Sequence, residues 1–394
     1  MLGALSFTQP TWLCSVIQRS LRSLRLCGEC GYKEKCQYNT KIQSIKTERR
    51  DVMKAVVFYE NGGVEKLTYT DVEKPEISPY EVLVKVKACA LNHLDIWVRQ
   101  GLPGIEIPMP HILGSDVVGE VAEVGMEVKK FRVGDKVLVA PGVRCRKCVY
   151  CITNNDSMCS SFKLIGFQVQ GGYAEFAKAH VDNIIPISNK YSFEEWAAIP
   201  LVFLTAWHML ITRGQLKPGE NVLIHAAGSG IGSAAIQIAR LAGARVITTA
   251  RGNEKLKKAK QLGADEVIDY SKEDYGERAR SLTDNKGVDL IFEHIGPDTW
   301  EKNLQCLTKG GRMVVCGATS GPSTTLDIRS LLMKQHAIIG CYLGSKKELL
   351  DVLNLVEFGR LKPVVDSIFP LKEAAAAQQK MLNRENFGKI VLKI

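Results

Sequence analysis

At 394 residues, with 45% hydrophobic and 24% charged side chains, the chain has material for two domains, and no uninterrupted apolar run is long enough to span a bilayer. Its formal net charge of +10 is divided evenly: residues 1–52 hold nine Lys and Arg against four Asp and Glu, and the rest of the chain holds 43 against 38. An excess so mild and scattered does not argue for nucleic acid, and without a spanning run the chain does not read as an integral membrane protein.

Residues 1–52 differ in character from the rest of the chain. Arg19, Arg22 and Arg25 are interleaved with Ser and Leu, and the first acidic residue is Glu29, a pattern shared with mitochondrial transit segments. The alternative is a dispensable extension ahead of a fold that begins at Met53, and this reading is preferred; it places the protein in the cytoplasm, with the mitochondrial matrix as the alternative. Cys27, Cys30 and Cys36 lack a nearby fourth ligand and read as incidental. From Met53 the chain turns to strands: Lys54 to Phe58 (KAVVF) reads as one, and Glu81 to Lys87 (EVLVKVK) alternates apolar and polar. Residues 53–185 therefore form a β-rich domain.

Within it, residues 141–163 carry Cys145, Cys148, Cys151 and Cys159 at short spacing, with Arg144, Arg146 and Lys147 among them. Four thiolates so close together suit a tetrahedral Zn²⁺ that pins a loop with little core of its own; a disulfide pair is the competing reading, disfavoured in a reducing compartment. With every position filled by sulfur, such a zinc is structural.

Ser192 to Arg213 reads as helical and leads into a nucleotide domain, residues 186–344. Its landmark is Asn221 to Arg240, NVLIHAAGSGIGSAAIQIAR. Val222 to His225 reads as a strand, Ala226 to Gly232 as a small-residue turn, and Ala234 to Leu241 as a helix. Such a turn lets a pyrophosphate approach without a Cβ in the way and sets it on the helix N-terminus. The residues facing it are Ala227, Gly228, Ser229, Gly230, Ile231 and Gly232. Arg245 to Ala250, Val288 to Phe292, Arg312 to Cys316 and Ala337 to Cys341 read as further strands separated by helices, hence a doubly wound parallel sheet. After the second strand, where an acidic residue would accept the ribose hydroxyls of NAD, the chain has Ala250, Arg251, Gly252, Asn253, Glu254 and Lys255. Arg251 and Lys255 suit the 2′-phosphate of NADP(H). Gly317 and Ala318 after the strand Arg312 to Cys316, and Gly344 after the last, line the cofactor by the rule that ligands lie at strand carboxyl ends. Residues 345–394, with strands near Pro363 to Phe369 and Lys389 to Ile394 around a helix, return to the first domain.

A β-rich domain, a four-cysteine lobe and a nucleotide fold in this order resemble the medium-chain dehydrogenase/reductase superfamily. Gly114 to Val121 (GSDVVGEV), Gly134-Asp135-Lys136-Val137, Gly171 to Phe176 (GGYAEF) and the AAGSGIG turn are similar to its landmarks. The resemblance implies an α/β protein with a GroES-like substrate domain, a Rossmann domain and a cleft between them, and a homodimer or homotetramer paired through the strand edge near Ile338 to Tyr342. The superfamily's zinc alcohol dehydrogenases hold a catalytic zinc on Cys, His and a further Cys or Asp, with a Glu nearby. Those positions fall here on Asn92, Ser115, Leu201 and Asp116, which do not supply thiolate and imidazole. One structural zinc and no catalytic metal are expected, with a second metal on His93, Asp95 and Asp116 as the minority alternative.

Without a Lewis acid for an alkoxide, the resemblance implies hydride delivery from NADPH to a quinone or an α,β-unsaturated carbonyl. Asn92 then donates to a substrate oxygen, Asp95 orients that end of the cleft, and Thr205 contacts the nicotinamide face. His93 is a candidate acid, Cys89 reads as core, and Trp97, Leu201 and Phe203 line the acceptor pocket. The rival expectations are a zinc alcohol dehydrogenase with altered ligands and a non-enzymatic NADPH-binding protein.

Overall fold

The computed structural model describes residues 51–394, so the transit-like arginines and the Cys27, Cys30 and Cys36 cluster lie outside the described residues. The first half is antiparallel. It comprises β1 (Val52–Phe58), β2 (Thr68–Glu73), β3 (Glu81–Ala90), α1 (His93–Gln100), β4 (His111–Ile112), β5 (Asp116–Val124), β6 (Lys136–Val139), β7 (Gly142–Val143), α2 (Val149–Ile152), β8 (Lys163–Leu164), β9 (Phe176–His180) and β10 (Ile184–Pro186). β3 opens with Val82, Leu83 and Val84 all buried and then alternates as read from sequence, with exposed Lys85 between buried Val84 and Val86. It ends in a fully buried run, Ala88-Cys89-Ala90, where β18 pairs alongside and α3 packs on the strand.

The chain then crosses through α3 (Phe193–Ala197), whose N-cap Ser192 accepts from the Glu195 amide, and α4 (Pro200–Trp207), which starts on a proline and runs on into a π-type turn at His208–Arg213. Phe193–Arg213 is long and apolar enough to cross a membrane, but 67% of its most apolar window is buried inside the fold, as for a core helix.

The second half alternates strictly: β11 (Asn221–Ile224), α5 (Gly230–Leu241), β12 (Arg245–Ala250), α6 (Asn253–Leu262), β13 (Glu266–Asp269), α7 (Tyr275–Ser281), β14 (Val288–Glu293), α8 (Pro297–Cys306), β15 (Leu307–Val315), α9 (Ile328–Lys334), β16 (Ala337–Gly340) and α10 (Lys346–Glu357). The six strands are parallel in the order β13-β12-β11-β14-β15-β16. The order reverses between β11 and β14, which opens a crevice at their carboxyl ends. Side chains one residue apart divide between two cores: Leu223, Ile247, Ile291 and Met313 pack with Tyr275 and Ala279 of α7 on one face, while Val222, Ile224, Val246, Leu290 and Val314 join the core that holds α5.

The tail comprises β17 (Val365–Pro370), α11 (Ala374–Leu382) and β18 (Lys389–Lys393). β18 lies antiparallel on β3, with Val391 opposite Ala90 and Leu392 opposite Cys89, in a sheet of order β10-β6-β5-β3-β18-β17 to which β9 adds on β3. This pairing delivers Lys389 to the end of β3, and on the way the Gly388 amide donates to Gly228 O at 2.9 Å, tying the tail to the small-residue turn.

Candidate active site and metal centre

The turn between β11 and α5 is shaped for a phosphate. Ser229 is the N-cap, its hydroxyl accepting from the Gly232 amide at 2.9 Å and donating to Ala226 O at 2.8 Å. Ala226 sits at φ 50°, and a Cβ on Gly232 would lie 2.3 Å from Ala226 O, so the bend admits only glycine there. Beyond β12, Arg251 is exposed and Gly252 has φ 88° with open space around it. Lys255 lays its stem beside Gly228 and donates to Arg384 O at 2.6 Å; burial first, then the charges of Arg251 and Lys258, lowers its pKa. Arg251, Lys255 and Lys258 thus gather near the end of β12, where Glu254 pairs with Lys258 at 3.0 Å, Asp366 acts on Lys255 in the raising direction, and Asp269 is engaged by Ser271. Glycines and cations together fit a dinucleotide.

Facing this turn, the residues at the end of β3 and the start of α1 form a buried polar cluster. Asn92 caps α1: its backbone N–H donates to Asp95 Oδ2 at 2.7 Å. Asp95, fully buried, also accepts from the Tyr173 hydroxyl at 2.9 Å and the Gly114 amide at 3.2 Å. Burial outweighs those bonds and pushes its carboxyl up to about 6. The Asn92 amide Nδ2 donates to Asp116 Oδ2 at 2.8 Å, and the other oxygen of Asp116 accepts from the Leu201 amide at 2.8 Å. Into the cluster comes Lys389, whose ammonium reaches Leu91 O at 2.5 Å, Asn92 Oδ1 at 2.6 Å and Asp116 Oδ2 at 2.9 Å. Ser115 donates to Ile165 O, and the Thr205 hydroxyl donates back to Leu201 O at 2.7 Å. The structure therefore brings Asn92 and Asp95 together with Asp116 and the first turn of α4.

His93 stands apart from these carboxylates. Its ring is edge-on to Trp97 at 5.0 Å, and burial, followed by the neighbouring His294 and Arg384, lowers it to about 4. At neutral pH it is an uncharged imidazole, without the proton of an imidazolium acid. Cys89 is fully buried beneath Gly114 and Gly172, with its thiol pushed well up by burial, a core residue. Gly317 lies against His294 O at the strand ends, with Ala318 next in the loop, and a Cβ on Gly344 would meet Leu204 and His208, and Glu348 of α10.

The four lobe cysteines converge. Their sulfurs lie within 4.8 Å of one another, with Cys145–Cys151 at 3.8 Å and Cys148–Cys151 at 3.5 Å. A tetrahedron with Zn–S bonds of about 2.3 Å has sulfur–sulfur edges of about 3.8 Å, so the donor set fits zinc and leaves no position for a ligand from outside. The lobe has little else to hold it, since Val149, Tyr150, Ile152 and Met158 are exposed. Its other anchor is buried Asp156, paired with Arg144 at 3.1 Å and accepting from the Lys346 amide at 3.1 Å. Among the described residues this is the one cluster of metal-ligating side chains.

Sequence reasoning passed over Lys389, Tyr173 and His294. Lys389 and Tyr173 occupy positions that alternation assigns to a strand or a glycine-rich turn. The usable signal for Lys389 was a lysine directly after a glycine, opening a strand whose next three residues are apolar.

Two family models match the chain: an alcohol dehydrogenase GroES-like domain over residues 78–189 and a zinc-binding dehydrogenase over residues 230–357. A quinone oxidoreductase of Pseudomonas aeruginosa is 33% identical over 86% of the chain and 99% of its own length. An alcohol dehydrogenase of Geobacillus stearothermophilus is 32% identical over 83% and 96%. Among solved structures, an NAD-dependent alcohol dehydrogenase superposes with TM-score 0.84 at 43% identity, over 87% of the chain and all of its own. The chain belongs to the medium-chain dehydrogenase/reductase superfamily and is an oxidoreductase of that type, with a GroES-like domain, a Rossmann-like parallel sheet and a four-cysteine cluster.

Proposed function

We propose that the chain is an NADPH-dependent reductase of quinones or α,β-unsaturated carbonyls, with one structural zinc on Cys145, Cys148, Cys151 and Cys159 and no catalytic zinc. The observation that carries this reading is the cluster around Asn92: an amide, a hydroxyl and a leucine stand where zinc alcohol dehydrogenases place their ligands, and the carboxylate beside them is paired with Lys389. Amide and carboxylate oxygens already held by donors are a poor set for a zinc Lewis acid. The alternative set of His93, Asp95 and Asp116 fares no better, since Asp95 is held by Asn92, Tyr173 and Gly114 while His93 turns to Trp97.

A reduced nicotinamide held at the strand ends would supply the hydride for an electrophilic carbon, with water as the source of the proton. Gly228 to Gly232 hold the pyrophosphate, Arg251 and Lys255 the 2′-phosphate, and Gly317 and Ala318 border the crevice. Asn92 has one amide hydrogen on Asp116 and offers the other to the acceptor oxygen; Asp95 holds the Asn92 backbone, and Thr205 packs the nicotinamide face. The edge strand β16 supports pairing into a homodimer or homotetramer, and a four-thiolate zinc would suit a reducing compartment, the cytoplasm or the mitochondrial matrix.

Alcohol oxidation is the second reading, favoured by the 43% identical alcohol dehydrogenase, whose description also names NAD. Steady-state assays separate the two. The proposal expects NADPH oxidation with a quinone or an enone and no alcohol-dependent reduction of NADP⁺ or NAD⁺; the reverse pattern overturns it, and cofactor binding without turnover leaves a non-enzymatic binding protein.

A further inference from the structure

The Lys389 ammonium is a buried cation with three oxygen partners, from Leu91 just past β3, the α1 cap Asn92 and the first residue of β5. The residue is 3% exposed, and Asp116 is fully buried. Leu91 O, Asn92 Oδ1 and Asp116 Oδ2 use all three of its N–H donors, so none is left for a ligand. Its effect on the Asn92 amide is directional. With Oδ1 turned to the ammonium and one Nδ2 hydrogen on Asp116, the amide cannot flip without setting donor against donor. The stem reaches this position across the phosphate turn: a Cβ on Gly230 would fall 2.6 Å from Lys389 Cδ.

We propose that Lys389 is the resident cation of this cleft: its ammonium occupies a three-oxygen seat that would otherwise take a metal ion, and it acts as a positioning residue that fixes the Asn92 amide with an N–H free for the acceptor. A carbonyl, an amide oxygen and a carboxylate form a hard donor set of the kind that suits Mg²⁺ or Mn²⁺. A fixed ammonium fills it without ligand exchange. The positioning half rests on the reductase reading; the seat itself does not, and it is read without turnover.

The test uses full-length Lys389→Met, Lys389→Arg and the double variant Lys389→Met/Asp116→Asn, with Mn²⁺ as the probe. Electron paramagnetic resonance is expected to find a Mn²⁺ site in Lys389→Met that is absent from the parent protein and from the double variant. In quinone or enone reduction, Lys389→Met is expected to lose about 10- to 100-fold in kcat with the NADPH dissociation constant unchanged within about twofold, and Lys389→Arg to recover part of the loss. Lys389→Gln serves the same readings if the methionine variant does not fold. No Mn²⁺ binding in either neutral variant overturns the seat. A weakened NADPH affinity with kcat intact overturns the positioning role, since Lys389 would then serve the phosphates. If no acceptor turns over in the parent protein, the reductase reading has failed and the Mn²⁺ result still decides the seat.

Discussion

Replacing Asp116 by Asn removes one charge from the most buried ion pair in the site. Lys389 Nζ and Asp116 Oδ2 are 2.9 Å apart, with side chains 4% and 0% exposed. In the variant the Leu201 amide keeps an oxygen to donate to, but the new amide hydrogens face the Lys389 ammonium and the Asn92 Nδ2 group, two donors that lose their acceptor. A buried cation stripped of its counter-charge costs about 3–5 kcal/mol. In a protein of this size, with an unfolding entropy of about 2.1 cal/mol/K per residue, that corresponds to a melting temperature lower by roughly 4–6 °C. Lys389→Met strips the carboxylate instead and should cost a similar amount. The double variant, which removes both charges, should be less destabilised than the sum of the singles by about 2–3 kcal/mol. Differential scanning calorimetry of the four proteins at pH 7 reads the cycle. An Asp116→Asn protein that melts within about 1 °C of the parent, or singles that add, would refute the buried pair.

Arg251→Ala should weaken NADPH binding about 10- to 100-fold and leave NADH binding unchanged, measured by fluorescence titration; equal effects on both would remove Arg251 from the 2′-phosphate site. Glu348 makes a pH prediction. Burial alone would raise its carboxyl, but hydrogen bonds from His208, the Ser345 amide and Thr212 outweigh it and hold it at about 2. A carboxyl depressed in the folded state stabilises it fully above the ordinary carboxylate value of 4.5, and that contribution fades as pH falls from there through about 2. It amounts to roughly 3 kcal/mol, so Glu348→Gln should melt lower at pH 7 and show a flatter acid limb between pH 5 and pH 3. A parallel limb in both proteins would contradict this.

The parallel sheet was legible because its strands are short apolar runs bounded by glycines, and in β11 and β12 the residues that face the two cores are both apolar, so no register choice hides the strand. The cysteine lobe was legible because metal geometry imposes its own spacing. Asn92 and Asp95 could be read as a pair, since they belong to one helix cap. Lys389 could not: it joins Asn92 from 297 residues away, through a β18–β3 pairing that no local pattern encodes.

Zinc per chain, measured on purified parent protein, Cys148→Ser and Asp116→Asn, tests the account most directly. One zinc in the parent and in Asp116→Asn, and none in Cys148→Ser, is the predicted result. Two zincs in the parent, with one lost in Asp116→Asn and the other retained, would contradict it and make the cleft that of a zinc alcohol dehydrogenase.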